Sequence, residues 1–277
     1  MKEPSRESII CNTIAREMFR DTADQNYVSA RWCFLNGLNL DFYWLSLHAV
    51  EKYLKTILLL NGESAKDFSH DIVSLYDKVL PIANGLLPKH FTIPPEVELH
   101  WWRDEKYKKF VRRLYDEGNA DNRYQIYGYR RGSDDLFKVD QLVFSLRRLC
   151  WPLDTYIANS EGKGDIPTFR EILKSDPEFW FFGAGDSSPL YQIYDGKYGA
   201  ETRHKFLDLN FPFAPEGFVH SDFQERRAFK NPVLLRYIHD PLKSASLRAQ
   251  SEGNAIRDWV KKNIKLSKAV KDEIDSW

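Results

Sequence analysis

The chain reads as an all-α protein: an antiparallel up-and-down helical bundle followed by a less regular, aromatic-rich C-terminal extension that ends in helices. Three observations predict this. Apolar residues recur at helical spacing in successive segments between residues 21 and 158. The link between the two most regular segments is only a few residues long, which makes them antiparallel neighbours. Beyond residue 165 the periodicity lapses into aromatic, turn-rich sequence and returns only near the C-terminus. The expected organisation is an N-terminal segment (1–20), a bundle (21–158) and an extension of unspecified fold (165–277).

In the N-terminal segment Ile9, Ile10, Ile14 and Met18 sit at helical spacing. A firmer helix is expected from Asp21 to Asn36, with Ala23, Tyr27, Ala30, Phe34 and Leu38 marking its buried face and Gly37 its stop. The stretch LDFYWLSLHAVEKYLKTILLLNG, residues 40–62, is the most apolar and most regular of all, capped by Asn39 or Asp41. An apolar surface that wide requires several covering neighbours. Its polar residues His48, Glu51, Lys52 and Lys55 fall at i, i+3, i+4 and i+7 and share one stripe.

Ser69 is placed to cap a third helix, with Ile72, Leu75, Tyr76 and Val79 inward and Pro81 ending it. Pro95 followed by Glu96 and Glu98 predicts the start of a fourth, running to about Glu117 and stopped by Gly118. Residues 118–133 form a long loop, the kind that often carries function. Ser133, Asp134 and Asp135 then open a fifth helix whose face is Leu136, Val139, Leu142, Val143, Leu146 and Leu149, with Pro152 interrupting it. Residues 159–165, NSEGKGD, read as a linker. Late helices are expected around Asn254–Ile264 and Ser267–Ile274.

Composition narrows the function classes. The net charge is zero, so nucleic acid or an anionic membrane could be held only by a local patch. Three separated cysteines without a CxxC argue for a reducing compartment and against a zinc or disulfide framework. Glu51, Lys52 and Lys55 break the apolar run from Val50 to Leu60, and the N-terminus lacks the apolar core of a signal peptide. A cytoplasmic protein without a membrane partner is the expectation.

Four pieces, NYVSARWCFLNGL, AVEKYLKTILLLNGE, SHDIVSLYDKV and NRYQIYG, occur in this order. Over residues 20–158 they resemble the HEPN domain family of prokaryotic defence, toxin and nucleotide-binding proteins. The matching positions are Ala49, Glu51, Lys52 and Lys55, then His70-Asp71-Ile72, then Arg123-Tyr124, with Val50 as one extra residue in the second piece. The resemblance implies a bundle that pairs into homodimers. Many members are metal-independent ribonucleases with an Arg followed four to six residues later by His. Here the histidines of residues 20–158 are 48, 70, 90 and 100, and Gly128, Tyr129 and Arg130 stand where that His would fall. The match is to the subgroup without the motif, which implies a non-catalytic nucleotide- or RNA-binding module. The alternatives are a divergent ribonuclease using His48 or His70 with Arg123, and a structural protein whose partner docks on 165–277.

Each candidate also has a plainer role. Glu51 and Lys55 form an i, i+4 ion pair on a helix. Asp71 complements a helix dipole, although His70 at a helix N-terminus could hold an anion. Between residues 103 and 131, nine cationic residues face five acidic ones and are interleaved with Trp101, Trp102, Tyr107, Tyr115, Tyr124, Tyr127 and Tyr129. Cations for phosphate with rings for bases suit single-stranded RNA or a nucleotide, though a charged helix face is commonly just solvated. The candidate binding set is His48, Lys52, Lys55, His70, Lys109, Arg113, Arg123, Tyr124, Arg130 and Arg131. In the extension, GAGDSS (183–188) lacks the Lys of a phosphate-binding loop, and His220 with Asp222 complete no metal cluster. No cofactor and no metal are expected.

Overall fold

The computed structural model describes residues 6–95, 97, 100, 102–156, 166–183, 186, 188–214, 228–230, 232, 234–263 and 266–277. Five helices build the bundle: α2 (Asp21–Leu35), α3 (Asn39–Leu60), α4 (Ile72–Ala83), α5 (Tyr107–Gly118) and α6 (Asp134–Arg147). Ahead of them α1 (Arg6–Ala15) runs through a π turn, Arg16–Arg20, into α2. The fold is all-α. Its only described strands, β1 (Tyr129–Arg131) and β2 (Ala228–Lys230), make a short antiparallel ribbon with Tyr129 opposite Lys230. No helix among the described residues is long and apolar enough to cross a membrane.

Helix α3 is the hub. It packs against α2, α4, α5 and α6, and Phe42, Tyr43, Val50, Tyr53, Leu54, Ile57 and Leu58 are fully buried. The apolar width of residues 40–62 is therefore covered within one chain, as an all-round apolar helix demands.

Buried charges link the helices at points the apolar pattern does not mark. Arg147 on α6 donates two bonds of 3.1 Å to Asp24 on α2, which also accepts from the Tyr53 hydroxyl of α3. Asp140 accepts from Tyr27 and from Arg31, which reaches on to the Asp208 carbonyl. Lys138 lies between Glu105 and Asp134 at 2.8 and 2.7 Å. Removing one member of such a pair strands an unpaired buried charge, so breaking any of them is costly to the fold.

Three helix ends differ from the sequence expectation. The cap of α4 is Asp71, whose carboxylate accepts from the Val73 and Ser74 amides. Pro81 lies inside α4, which runs on to Ala83 and closes at Asn84 in left-handed conformation (φ 45°). Burial of Val79 and Ala83 holds that last turn despite the missing amide donor. Helix α5 begins at Tyr107 rather than Pro95, because the preceding backbone is tied elsewhere. The Arg103 amide donates to Asp134, the Arg103 carbonyl accepts from Lys138, and the Tyr107 amide donates to the Lys89 carbonyl.

The extension continues with α7 (Phe169–Ser175), α8 (Pro189–Tyr194) and α9 (Ala200–Leu207). A capping box between Thr168 and Glu171 starts α7. Phe169, Leu173, Leu190, Ile193, Phe206, Leu207 and Phe213 join the bundle core. After a π turn, Leu235–His239, come α10 (Asp240–Leu242), α11 (Leu247–Asn263) and α12 (Lys268–Ser276). The last two overlap the expected late helices. Leu234, Ile238, Val260, Leu266, Val270 and Ile274 form a second, smaller core around Ile126. The expected linker, 159–165, lies outside the described residues, as do His220 and Asp222.

Gly118 does more than end α5. A Cβ there would stand 2.6 Å from the Tyr43 carbonyl oxygen and 3.0 Å from Leu47 Cβ, so glycine is what lets α5 close on α3. Gly118→Ala should therefore lower stability by about 1–3 kcal/mol in urea unfolding, although alanine favours helix. A neutral or stabilised variant would show that the two backbones do not approach this closely.

Candidate functional site

The polar stripe of α3 is not left to water. Trp44, His48, Glu51 and Lys55 follow at i, i+4, i+7 and i+11 along one side of the helix, facing the turn before α4 and the loop after α5. Glu51 is buried at 4 % exposure. His48 Nδ1 lies 3.2 Å and His70 Nδ1 3.0 Å from its Oε2, and Lys55 Nζ donates to Oε1 at 2.8 Å. Lys55 also donates to the Ser69 carbonyl, tying down the turn that delivers His70. Burial would raise the Glu51 carboxyl, but its bonds to His48, Lys55 and His70 outweigh that and hold it at about 2. The ionised carboxylate only accepts hydrogen bonds. On each histidine the nitrogen facing it, Nδ1, is therefore the one that donates.

Trp44 lies between two of the polar groups. The His48 ring meets it edge-on at 4.1 Å, and the Arg123 guanidinium stacks over it at 4.2 Å. Arg123 is exposed, and no carboxylate pairs with it among the described residues. Its position is set by its neighbour Asn122, buried at 1 % exposure. Asn122 Nδ2 donates to the Glu117 and Gly128 carbonyls at 2.7 Å, and its Oδ1 accepts from the Tyr127 amide. One buried amide thus closes the loop on itself.

These groups share a groove of about 1100 Å³ lined by Trp44, His48, His70, Arg123, Tyr127 and Arg130, with Pro232 and Ala269 of the extension at its rim. Ser267 donates to Asp121 at 2.8 Å and fixes that rim to the loop. Acidic residues line the groove as well: Asp71, which caps α4, Asp121, which accepts from Ser267, Glu117, which pairs with Arg113, and the exposed Asp116. Its unpaired cations are Arg123 and Arg130.

Of the ten residues singled out from sequence, four meet here: His48, His70, Arg123 and Arg130. Lys55 supports them from behind through Glu51. Lys52 points to α2 and donates to Asn26 at 2.6 Å. Lys109 sits with Lys106, Lys108 and Arg112 in a separate cleft of about 540 Å³. Arg113 is enclosed by Glu105, Asp135 and Glu117, and Arg131 is buried and donates to the Phe34 carbonyl. Tyr124 is 74 % exposed, outside the groove lining. Sequence reasoning passed over Trp44, hidden in an apolar run, and Asn122. The i, i+4 spacing of Trp44 to His48 was the available signal; nothing local marks Asn122 as a loop clamp.

Two clusters bring three potential metal-ligating side chains within 4.8 Å of one another: His48, Glu51 and His70, and Glu105, Asp134 and Asp135. The second is already filled by the Lys138 ammonium and the Arg113 guanidinium. Comparison of the chain with protein-family models, with curated proteins and with solved structures returns no match.

Glu117, at the groove wall, has a carboxyl displaced towards neutrality. Burial pushes its carboxyl up to about 7; Arg113 pulls it back, but Asp135 adds repulsion. The folded value lies above the ordinary 4.5, so protonation of Glu117 favours the folded chain. That contribution is complete below about pH 4.5 and lost as the pH rises through about 7. Stability measured by denaturant titration from pH 4.5 to 8 should fall, relative to Glu117→Gln, by on the order of 3 kcal/mol. A constant difference between the two proteins would reject the raised value.

Proposed function

We propose that this chain is a HEPN-like, non-catalytic module that binds a nucleotide or single-stranded RNA in the groove between α3 and the loop after α5. It would act as a homodimer in the cytoplasm, in a prokaryotic defence or toxin–antitoxin setting, as the sequence resemblance implies. The observation that carries the reading is the stack of Arg123 on Trp44 beside His48 and His70. A stacked guanidinium keeps its N–H edge free for phosphate, and Tyr127 supplies a ring in reach of a base. The cations number few, so affinity would rest on stacking as much as on charge.

A labelled short single-stranded RNA and ATP, titrated in chelator at low and moderate salt, test this. Binding should weaken with salt, and Arg123→Ala should weaken it about tenfold or more while flattening the salt dependence. Binding that is absent at low salt, or indifferent to Arg123, overturns the reading.

One observation favours a second reading, a divergent metal-independent ribonuclease. Two imidazoles oriented by one buried carboxylate could act as proton acceptor and donor, with Arg123 stabilising charge on the phosphate. RNA incubated in chelator should then be cleaved by the wild type and not by His48→Ala; no cleavage, or equal cleavage, removes this reading.

A further inference from the structure

The His48–Glu51–His70 cluster has the geometry of an open metal centre. A tetrahedral zinc ion with ligand bonds of about 2.0–2.1 Å sets neighbouring donor atoms about 3.3 Å apart. Both imidazole Nδ1 atoms lie close to that distance from Glu51 Oε2, at 3.2 and 3.0 Å, and the three residues each bring one ligand atom within 4.8 Å of the others. His48 and Glu51 are rigidly placed at i, i+3 on the most buried helix of the fold, and His70 comes from a turn held by Lys55 on the Ser69 carbonyl.

We propose that His48 Nδ1, His70 Nδ1 and Glu51 Oε2 bind a divalent transition metal, zinc by preference, with the fourth position open to the groove. Two nitrogens and one carboxylate oxygen are the donor set of an open zinc site, whereas magnesium or calcium would require an all-oxygen set. On binding, each neutral imidazole moves its ring proton from Nδ1 to Nε2, so no proton need be released. Lys55 stays on Oε1, the oxygen the metal does not use, and orients the carboxylate as an outer-shell partner. His48 is half-buried and braced by Trp44, while the His70 side chain is 72 % exposed, so the cluster has a solid back and an open front. The other close cluster, Glu105–Asp134–Asp135, offers the contrast: there lysine and arginine occupy the centre.

This inference stands apart from nucleotide binding, and its test uses no nucleic acid. It is incompatible with the metal-free acid–base reading, because a metal on Nδ1 leaves no lone pair on Nε2. The full chain, with exposed Cys11 replaced by Ser to remove a competing thiolate, is titrated with Co²⁺ and with Zn²⁺ against a chromophoric chelator. One equivalent per chain should bind, with the intense visible absorption of a four- or five-coordinate Co²⁺ centre. His70→Ala, at an exposed position, should keep the far-ultraviolet circular dichroism of the parent and weaken binding by more than the roughly tenfold to hundredfold that loss of an outer-shell partner costs. Glu51→Gln and His48→Ala should abolish the absorption. Absence of binding in the parent, or one-equivalent binding retained by the His48→Ala/His70→Ala double variant, overturns the proposal.

Discussion

The burial of α3 on every side is the constraint from which the rest follows. A helix packed against α2, α4, α5 and α6 leaves little solvent face for polar side chains, so its buried polar groups call for partners, and all but a few such as Ser46 have one. Tyr53 finds Asp24, Tyr43 finds Asp135, and Glu51 collects two histidines and a lysine. The Glu51 cluster is where that requirement meets the surface. The carboxylate is buried, yet two of its partners reach the groove, and ionisation inside is thereby converted into ordered imidazoles outside.

The same logic explains the division among the cations between residues 103 and 131. A helix that presents Phe110, Val111 and Leu114 to the core must send its charged residues in different directions. Arg113 turns into a pocket of three carboxylates, while Lys108 and Arg112 remain outside and Lys108 pairs with Asp77 at 2.8 Å. Three carboxylates surround that one guanidinium, and Glu117, the most accessible of them, has its carboxyl raised to about 7, chiefly by burial and further by repulsion from Asp135. The groove wall therefore takes part of its chemistry from the burial of Glu117 beside the Arg113 cluster.

The helical class and most of the bundle elements were legible because they depend on local periodicity: the faces of α2, α3 and α6 can be read from spacing, except that Leu38, expected on the buried face of α2, lies past its end and is exposed. Part of the site was legible for the same reason, since His48 and Glu51 share one helix face at fixed spacing. What could not be read was anything set by tertiary pairing. Arg31, Arg113, Arg131 and Arg147 look like surface cations in the sequence and are enclosed by acids or carbonyls. Pro95 looked like a helix start, but α5 opens at Tyr107, and the Arg103 backbone bonds instead to Asp134 and Lys138. The aromatic texture after 165 carried no readable fold; Phe169, Leu173, Leu190, Ile193, Phe206, Leu207 and Phe213 complete the bundle core, while α11 and α12 contribute to a small core around Ile126.

The central claim is that the His48–Glu51–His70 cluster and the Arg123–Trp44 stack form one ligand site. The most direct measurement is the ¹⁵N-histidine spectrum of the full chain in chelator, followed as single-stranded RNA is added. The account predicts that the His48 and His70 imidazole signals move together and saturate with binding, while those of His204 and His239, on α9 and just before α10, stay in place. Bound RNA that leaves both groove histidines unmoved would contradict it.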